Sequence, residues 1–209
     1  MTRIHLIRHG ETAWNAEGRI QGHADNALNE LGRRQALGLR EALAHLAPVR
    51  VYASTSLRAR ETAELAFGHL GVELVPVESL REIYLADWEG FLYKEIEQTH
   101  PEEVHAFRHE PHRFNYPGAE TFAQLQARGL LALEEIIARE HGGGGDVVVV
   151  SHGAMIRTLL SYYLDRPLSR LWEPPRMHNC AHSILEVRPD GPPRVVQYAD
   201  LTQGFGARE

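Results

Sequence analysis

Two histidine–glycine pairs stand where apolar runs stop. Leu6-Ile7 gives way to Arg8-His9-Gly10, and the four valines 147–150 give way to Ser151-His152-Gly153. A third cation, Arg58, comes shortly after another apolar stretch, Val51-Tyr52-Ala53. Arginine offers a planar fork of N–H donors that matches phosphate, and a neighbouring histidine can accept a phosphoryl group as a nucleophile. The residue types therefore point to phosphoryl chemistry. Taken singly, each has a plainer use: an arginine after a strand is commonly a surface ion pair, and a histidine there a hydrogen-bonded structural residue. It is the repetition of basic residues at strand ends that calls for a joint explanation.

Periodicity supplies the elements that must position these groups. Strands are predicted at 3–8, 49–53, 72–77 and 147–150, with two late ones near 182–188 and 194–199. Asn29 can cap a helix running to about residue 46, with Leu39, Leu43 and Leu46 on one face. Ser54, Thr55 or Ser56 can cap the next, which carries Leu57, Ala63, Ala66, Phe67 and Leu70 at helical spacing and stops at Gly71. A long helix is predicted over 119–141 with Phe122, Leu125, Leu133 and Ile136 inward, and another from about Ala154. Pro76 places the third strand at an edge or an end, and the unbroken valines suit the centre of a parallel sheet. The Gly142–Gly145 tetrad reads as a turn. Alternating strands and helices predict an α/β fold: three layers, α/β/α, around a mostly parallel sheet.

Residues 88–118 break that rhythm. They are rich in histidine, glutamate, proline and aromatics, with short helices near 92–98 and 101–109, and read as a lid-like excursion over the site within a single domain spanning 1–209. Phe91, Tyr93, Phe107, Phe114 and Tyr116 could make it an apolar lid or pack it onto the sheet; packing is the expectation. His105, His109 and His112 stand at helical spacing that would suit a metal, but Pro111 interrupts the helix, and no metal site is expected there.

Parallel strands bring their carboxyl ends to one edge, where ligands bind in open α/β sheets. Arg8, His9, Arg58 and His152 should therefore converge. Helix starts near 57 and 154 would add positive dipole ends and free N–H groups, completing a dianion site. That cation must be local, because the chain carries a net charge of −6 and Lys94 is its only lysine. An acidic balance without a basic stripe argues against a general nucleic-acid binder. No apolar run approaches the ~20 residues of a membrane span. Folding begins by residue 3 with no secretory signal before it. The single cysteine, Cys180, allows no intrachain disulfide, which suits the cytoplasm.

Five segments in order give a resemblance that covers most of the chain. They are Arg8-His9-Gly10-Glu11-Thr12 with Asn15; Arg19 to Asp25 followed by Leu28 to Gly32; Ser54 to Ala63; Leu80-Arg81-Glu82 with Asp87 to Gly90; and Ser151-His152-Gly153. Together they resemble the histidine phosphatase superfamily, the phosphoglycerate mutase-like enzymes and acid phosphatases. The resemblance implies that His9 is the nucleophile, that Arg8, Arg58 and His152 hold the phosphoryl oxygens, and that Glu82 donates and accepts the proton. Asn15, Gln21 and Gly22 would line the phosphate and substrate side, with Gly153 beside them. Two positions depart from the pattern. Ala27 stands where relatives usually have proline, and His182 where they tend to be small and polar.

This chemistry makes demands of its own. His9 must be neutral to attack, so one ring nitrogen should donate to a fixed acceptor such as a backbone carbonyl. His152 is more useful protonated, as an added cation. Glu82 should start protonated, rather than forming a surface ion pair with Arg81. No cofactor or metal is implied. The expected activity is hydrolysis of a small-molecule phosphate monoester through phosphohistidine. The excursion resembles the shorter phosphatase members, since Lys94, Arg108 and Arg113 are scattered in it and no lysine-rich, double-arginine run is present. A cofactor-dependent phosphoglycerate mutase and a non-catalytic phosphate-binding module are the other readings. The natural substrate and a homodimer are left open.

Overall fold

The computed structural model describes residues 1–141, 144–189 and 191–202. Gly142 and Gly143 of the expected turn, and Asp190 between the late strands, lie outside the described residues.

The first strand, β1 (Thr2–Arg8), is followed by a short helix α1 (Ala13–Glu17) and by α2 (Glu30–Ala42). Asn29 caps α2, its side chain accepting from the Gly32 N–H. Strand β2 (Arg50–Ser54) leads into α3 (Leu57–Phe67), and β3 (Leu74–Val77) follows. Helices α4 (Tyr93–Thr99) and α5 (Pro101–His109) form the excursion. The long α6 (Phe122–Glu140), β4 (Asp146–Ser151) and α7 (Gly153–Tyr163) complete the α/β part, and β5 (His182–Val187) and β6 (Arg194–Gln197) close the sheet.

The six strands lie in the order β3-β2-β4-β1-β5-β6. β1 pairs with β4, and β2 with both β4 and β3, in parallel; β5 runs antiparallel to β1 and to β6. The sheet is thus mostly parallel, with Pro76 on an edge strand as its missing N–H requires. The valines of β4, one of the two central strands, are completely buried. Helices cover both faces. Leu39 of α2 and Ala59, Ala63 and Ala66 of α3 pack with Ile7, Val148 and Val150 on one face. Phe122, Leu125 and Leu133 of α6 and Met155 and Leu159 of α7 pack with Ile4, Leu6 and Val149 on the other. Successive strand residues face opposite ways, which is why one run of valines serves both cores.

Two local expectations shift. α2 stops at Ala42, short of residue 46, yet Leu43 and Leu46 still pack into the core. Leu70, expected on the inner face of α3, falls in a separate short turn and is exposed. In the excursion, Phe107 and Phe114 are buried among Trp88, Phe122 and Trp172, with ring centroids 5.1–6.2 Å apart, as the packing expectation had it. Phe91 is exposed instead. His182 is absorbed into the fold: its Nε2 lies 2.9 Å from Nδ1 of His5, linking β5 to β1 in a buried pair.

Candidate active site

The strand register builds the site. Arg8 at the end of β1 is level with Ser151 at the end of β4, and Ser54 ends β2 one strand further over. The chain turns out of β1 at His9, whose N–H donates to the Ser151 carbonyl at 2.9 Å. Its Nδ1 lies 2.7 Å from the Gly10 carbonyl. Burial, aided by Arg58 and Arg8, holds its pKa well below the usual histidine range. The ring is therefore neutral, and a neutral ring facing a carbonyl must carry its proton on Nδ1, which leaves the Nε2 lone pair free. This is the backbone-carbonyl arrangement that nucleophilic attack calls for.

His152, the residue preceding α7, stands one layer deeper. It is completely buried, its ring centroid 5.2 Å from that of His9. Its Nε2 lies 2.8 Å from the Ser54 hydroxyl. Burial, with Arg58, His9 and Arg8 around it, depresses its pKa as well. The expectation of a protonated His152 is thus corrected for the protein by itself: two arginines and a dry environment disfavour a third cation.

Arg58, in the first turn of α3, donates to the carbonyls of Ala24 and Gly22 at 2.7 and 2.8 Å. Burial brings its pKa down to about 10, so it stays charged. Arg8 donates to the Met177 carbonyl at 2.6 Å. The Nε of Arg8, the Nε of Arg58 and Nδ1 of His152 are buried and have no hydrogen-bond partner among the described residues. Burying three such polar atoms around one histidine is costly unless something else engages them.

Glu82 reaches the cluster from the segment after β3. Its Oε2 accepts from the Ala154 N–H at 3.0 Å, and its Oε1 from Met155 and Ile83 at 3.1 and 3.0 Å. It thus takes the free N–H groups at the start of α7. The start of α3 is likewise occupied, because Leu57 N–H donates to Asp25 at 2.5 Å. The helix termini expected to aim N–H groups at a phosphate are therefore spent on carboxylates. Arg81 pairs with Glu78 at 3.1 Å, so Glu82 is free of the alternative ion pair.

The cavity at this point measures about 300 Å³. Arg8, His9, Arg58 and Glu82 line it together with Asn15, Gln21, Gly22 and Gly153, so all the expected residues except the deeper His152 meet at its wall. Gly22 has a φ of +51°, and a Cβ there would fall 2.0 Å from Glu89 Oε1. Tyr93 and Phe107 of the excursion and Trp172 add an apolar side. The histidines of α5 lie elsewhere. The His105 and His109 rings lie 4.9 Å apart and tilted, His112 belongs to a separate turn, and no group of three potential metal ligands occurs among the described residues.

Several supporting residues escaped the sequence. Thr62 receives the Gly10 N–H at 3.0 Å; it follows Arg58 by one helical turn, a spacing that could have revealed it. Asn179 and Met177 gave no local signal, since Asn179 reaches the His9 carbonyl and Asn15 only through the fold.

Residues 4–201 match the family model for the histidine phosphatase superfamily (branch 1), and the chain belongs to that family. It is 40% identical over 162 residues to the metal-independent phosphoserine phosphatase of Arabidopsis thaliana, covering 76% of this chain and 67% of that one. It is 33% identical over 172 residues to the glucosyl-3-phosphoglycerate phosphatase of Mycolicibacterium vanbaalenii, covering 79% and 76%. Among solved structures, Bacillus stearothermophilus YhfR superposes with a TM-score of 0.92 at 39% identity, covering 96% of this chain and 98% of that one.

Proposed function

We propose that the protein is a phosphomonoesterase of the histidine phosphatase type, hydrolysing small phosphorylated metabolites through a phosphohistidine at His9. One observation carries the reading. Three buried, unpartnered nitrogens of Arg8, Arg58 and His152 surround a histidine whose tautomer is already set for attack. A phosphoryl group supplies the acceptor oxygens they lack.

In the first step Nε2 of His9 attacks phosphorus and the P–O ester bond breaks. The arginines take up charge on the equatorial oxygens, where phosphoryl transfer needs it. The incoming ester brings two negative charges beside Glu82 and His152. Negative charge there favours a protonated ring at His152, and Glu82 enters the step as the protonated acid. Glu82 then gives its proton to the departing alkoxide. In the second step water attacks the phosphohistidine, Glu82 takes its proton, and the P–N bond breaks to return neutral His9 and inorganic phosphate. A mutase would need a cation to grip a carboxylate beside the phosphate. Arg157, which also reaches the cavity, spends its guanidinium on the carbonyls of Leu171, Glu173 and Pro175. Such a reaction on soluble metabolites fits the cytoplasm, and among the described residues no helix is long and apolar enough to cross a membrane.

The test is phosphate release from an aryl phosphate together with trapping of the phosphoenzyme. Wild type should incorporate acid-labile, base-stable phosphate, and His9→Ala should lose both label and turnover, by about 10⁴-fold or more. An active His9→Ala variant would overturn the assignment. So would interconversion of phosphoglycerate isomers, in the presence of bisphosphoglycerate, without phosphate release.

A further inference from the structure

We infer that Arg128, which does not line the cavity, is a positioning residue that fixes Glu82 by gathering the backbone carbonyls of the segment carrying it. The inference rests on the reading of Glu82 as the proton donor.

The segment 79–82 lies outside the sheet: a short turn ends at Leu80, and Arg81 is extended. Its carbonyls therefore need partners from elsewhere. Arg128, on α6, supplies them. Its Nη1 donates to the carbonyls of Ser79 and Arg81 at 2.9 and 2.8 Å, and its Nη2 to that of Glu82 at 2.8 Å. The remaining N–H groups, on Nε and Nη2, form a two-point bond with Glu120 at 2.6 and 2.9 Å. All five donors are used. Ser151 takes the intervening Leu80 carbonyl at 2.7 Å, so four consecutive carbonyls are tied down.

Glu82 is thus held at both ends, its carboxylate by the start of α7 and its backbone by α6. The two helices are in close contact at this level. A Cβ on Gly129, the residue after Arg128, would fall 2.4 Å from Met155 Sδ, and Met155 is itself a donor to Glu82. Only a planar fork can reach three carbonyls and a carboxylate at once; a lysine ammonium has three donors and no such geometry. The Arg128–Glu120 pair is partly buried, at 25% and 15% side-chain exposure, and is placed for geometry more than for surface charge.

The experiment compares kcat/KM on two ester classes. An alkyl phosphate needs a proton on its leaving oxygen; a nitrophenyl phosphate does not. Arg128→Lys should lower kcat/KM for the alkyl ester about 10²-fold and for the nitrophenyl ester less than about 5-fold, as a displaced general acid should. Guanidinium ion should restore the alkyl rate selectively in Arg128→Ala. Glu120→Gln, which keeps the arginine but breaks its two-point bond, gives the same selectivity in weaker form and serves if the Arg128 variants do not fold. Equal losses on both esters, or none, would overturn the inference. Glu82→Gln separates the two readings: without alkyl-selective loss there, the acid assignment itself falls, and the positioning role with it.

Discussion

Gly10 sets the protonation of the residue before it. Its carbonyl lies 2.7 Å from Nδ1 of His9, while its own N–H is fixed to Thr62 at 3.0 Å. The acceptor cannot drift, because α3 holds the peptide that carries it. His9 and Arg58 thus share one frame, since Thr62 also donates to the Arg58 carbonyl at 2.7 Å. The consequences of this construction can be measured.

Ser54→Ala removes the hydroxyl facing His152 Nε2. Both residues are completely buried, so the ring would lose its partner in a dry environment. The variant should lose about 1–3 kcal/mol of stability in denaturant titrations. Turnover should fall on the order of 10-fold while phosphoenzyme still forms, because His9 keeps its own acceptor.

Gly22→Ala should cost about 2 kcal/mol or more, since the backbone conformation is left-handed and the new methyl collides with Glu89. Glu89 Oε1 accepts from the His23 and Leu85 N–H groups, and the Gly22 carbonyl holds Arg58. A raised KM alongside a lowered Tm is the expected pair of results.

The buried pair His5–His182 makes stability depend on pH. Burial brings the His182 pKa down to about 3 and lowers that of His5, whose neighbours Asp146 and Arg3 act in opposite directions. Below the ordinary value of about 6.5 the unfolded chain binds protons that the folded chain refuses, so stability falls as pH falls. Each such histidine contributes a slope of up to about 1.4 kcal/mol per pH unit. Tm should therefore drop on acidification from about pH 7 to about pH 5, and His182→Ser should drop less over the same interval.

Turnover should survive excess chelator unchanged, because arginines and histidines supply the positive charge in the proposed steps. Loss of activity on chelation, restored by a divalent cation, would require a different mechanism.

Much of this was legible along the chain. Arg8-His9 and His152 could be placed at neighbouring strand ends because apolar runs reveal strands and parallel strands share an edge. Arg58 followed from a helix start. Charge states were another matter. His152 was expected as a cation, but its proton affinity depends on burial and on two arginines distant in sequence, and neither is a local property. Glu82 was found by resemblance, yet its union with α7 reverses the expected use of that helix terminus. Arg128 showed no sign at all: an arginine on an amphipathic helix looks solvated until the carbonyls it serves are in place.

The sheet order has a bearing on synthesis. β1 emerges from the ribosome before the other five strands but is flanked in the finished protein by β4 and β5, whose residues arrive only after position 145. Until then both its edges have no native neighbour, and the nascent chain must keep an apolar strand out of unwanted company for most of its length. Productive translation therefore favours late, concerted closure around the amino-terminal strand, and a truncation that removes the last third would leave the histidine without a home.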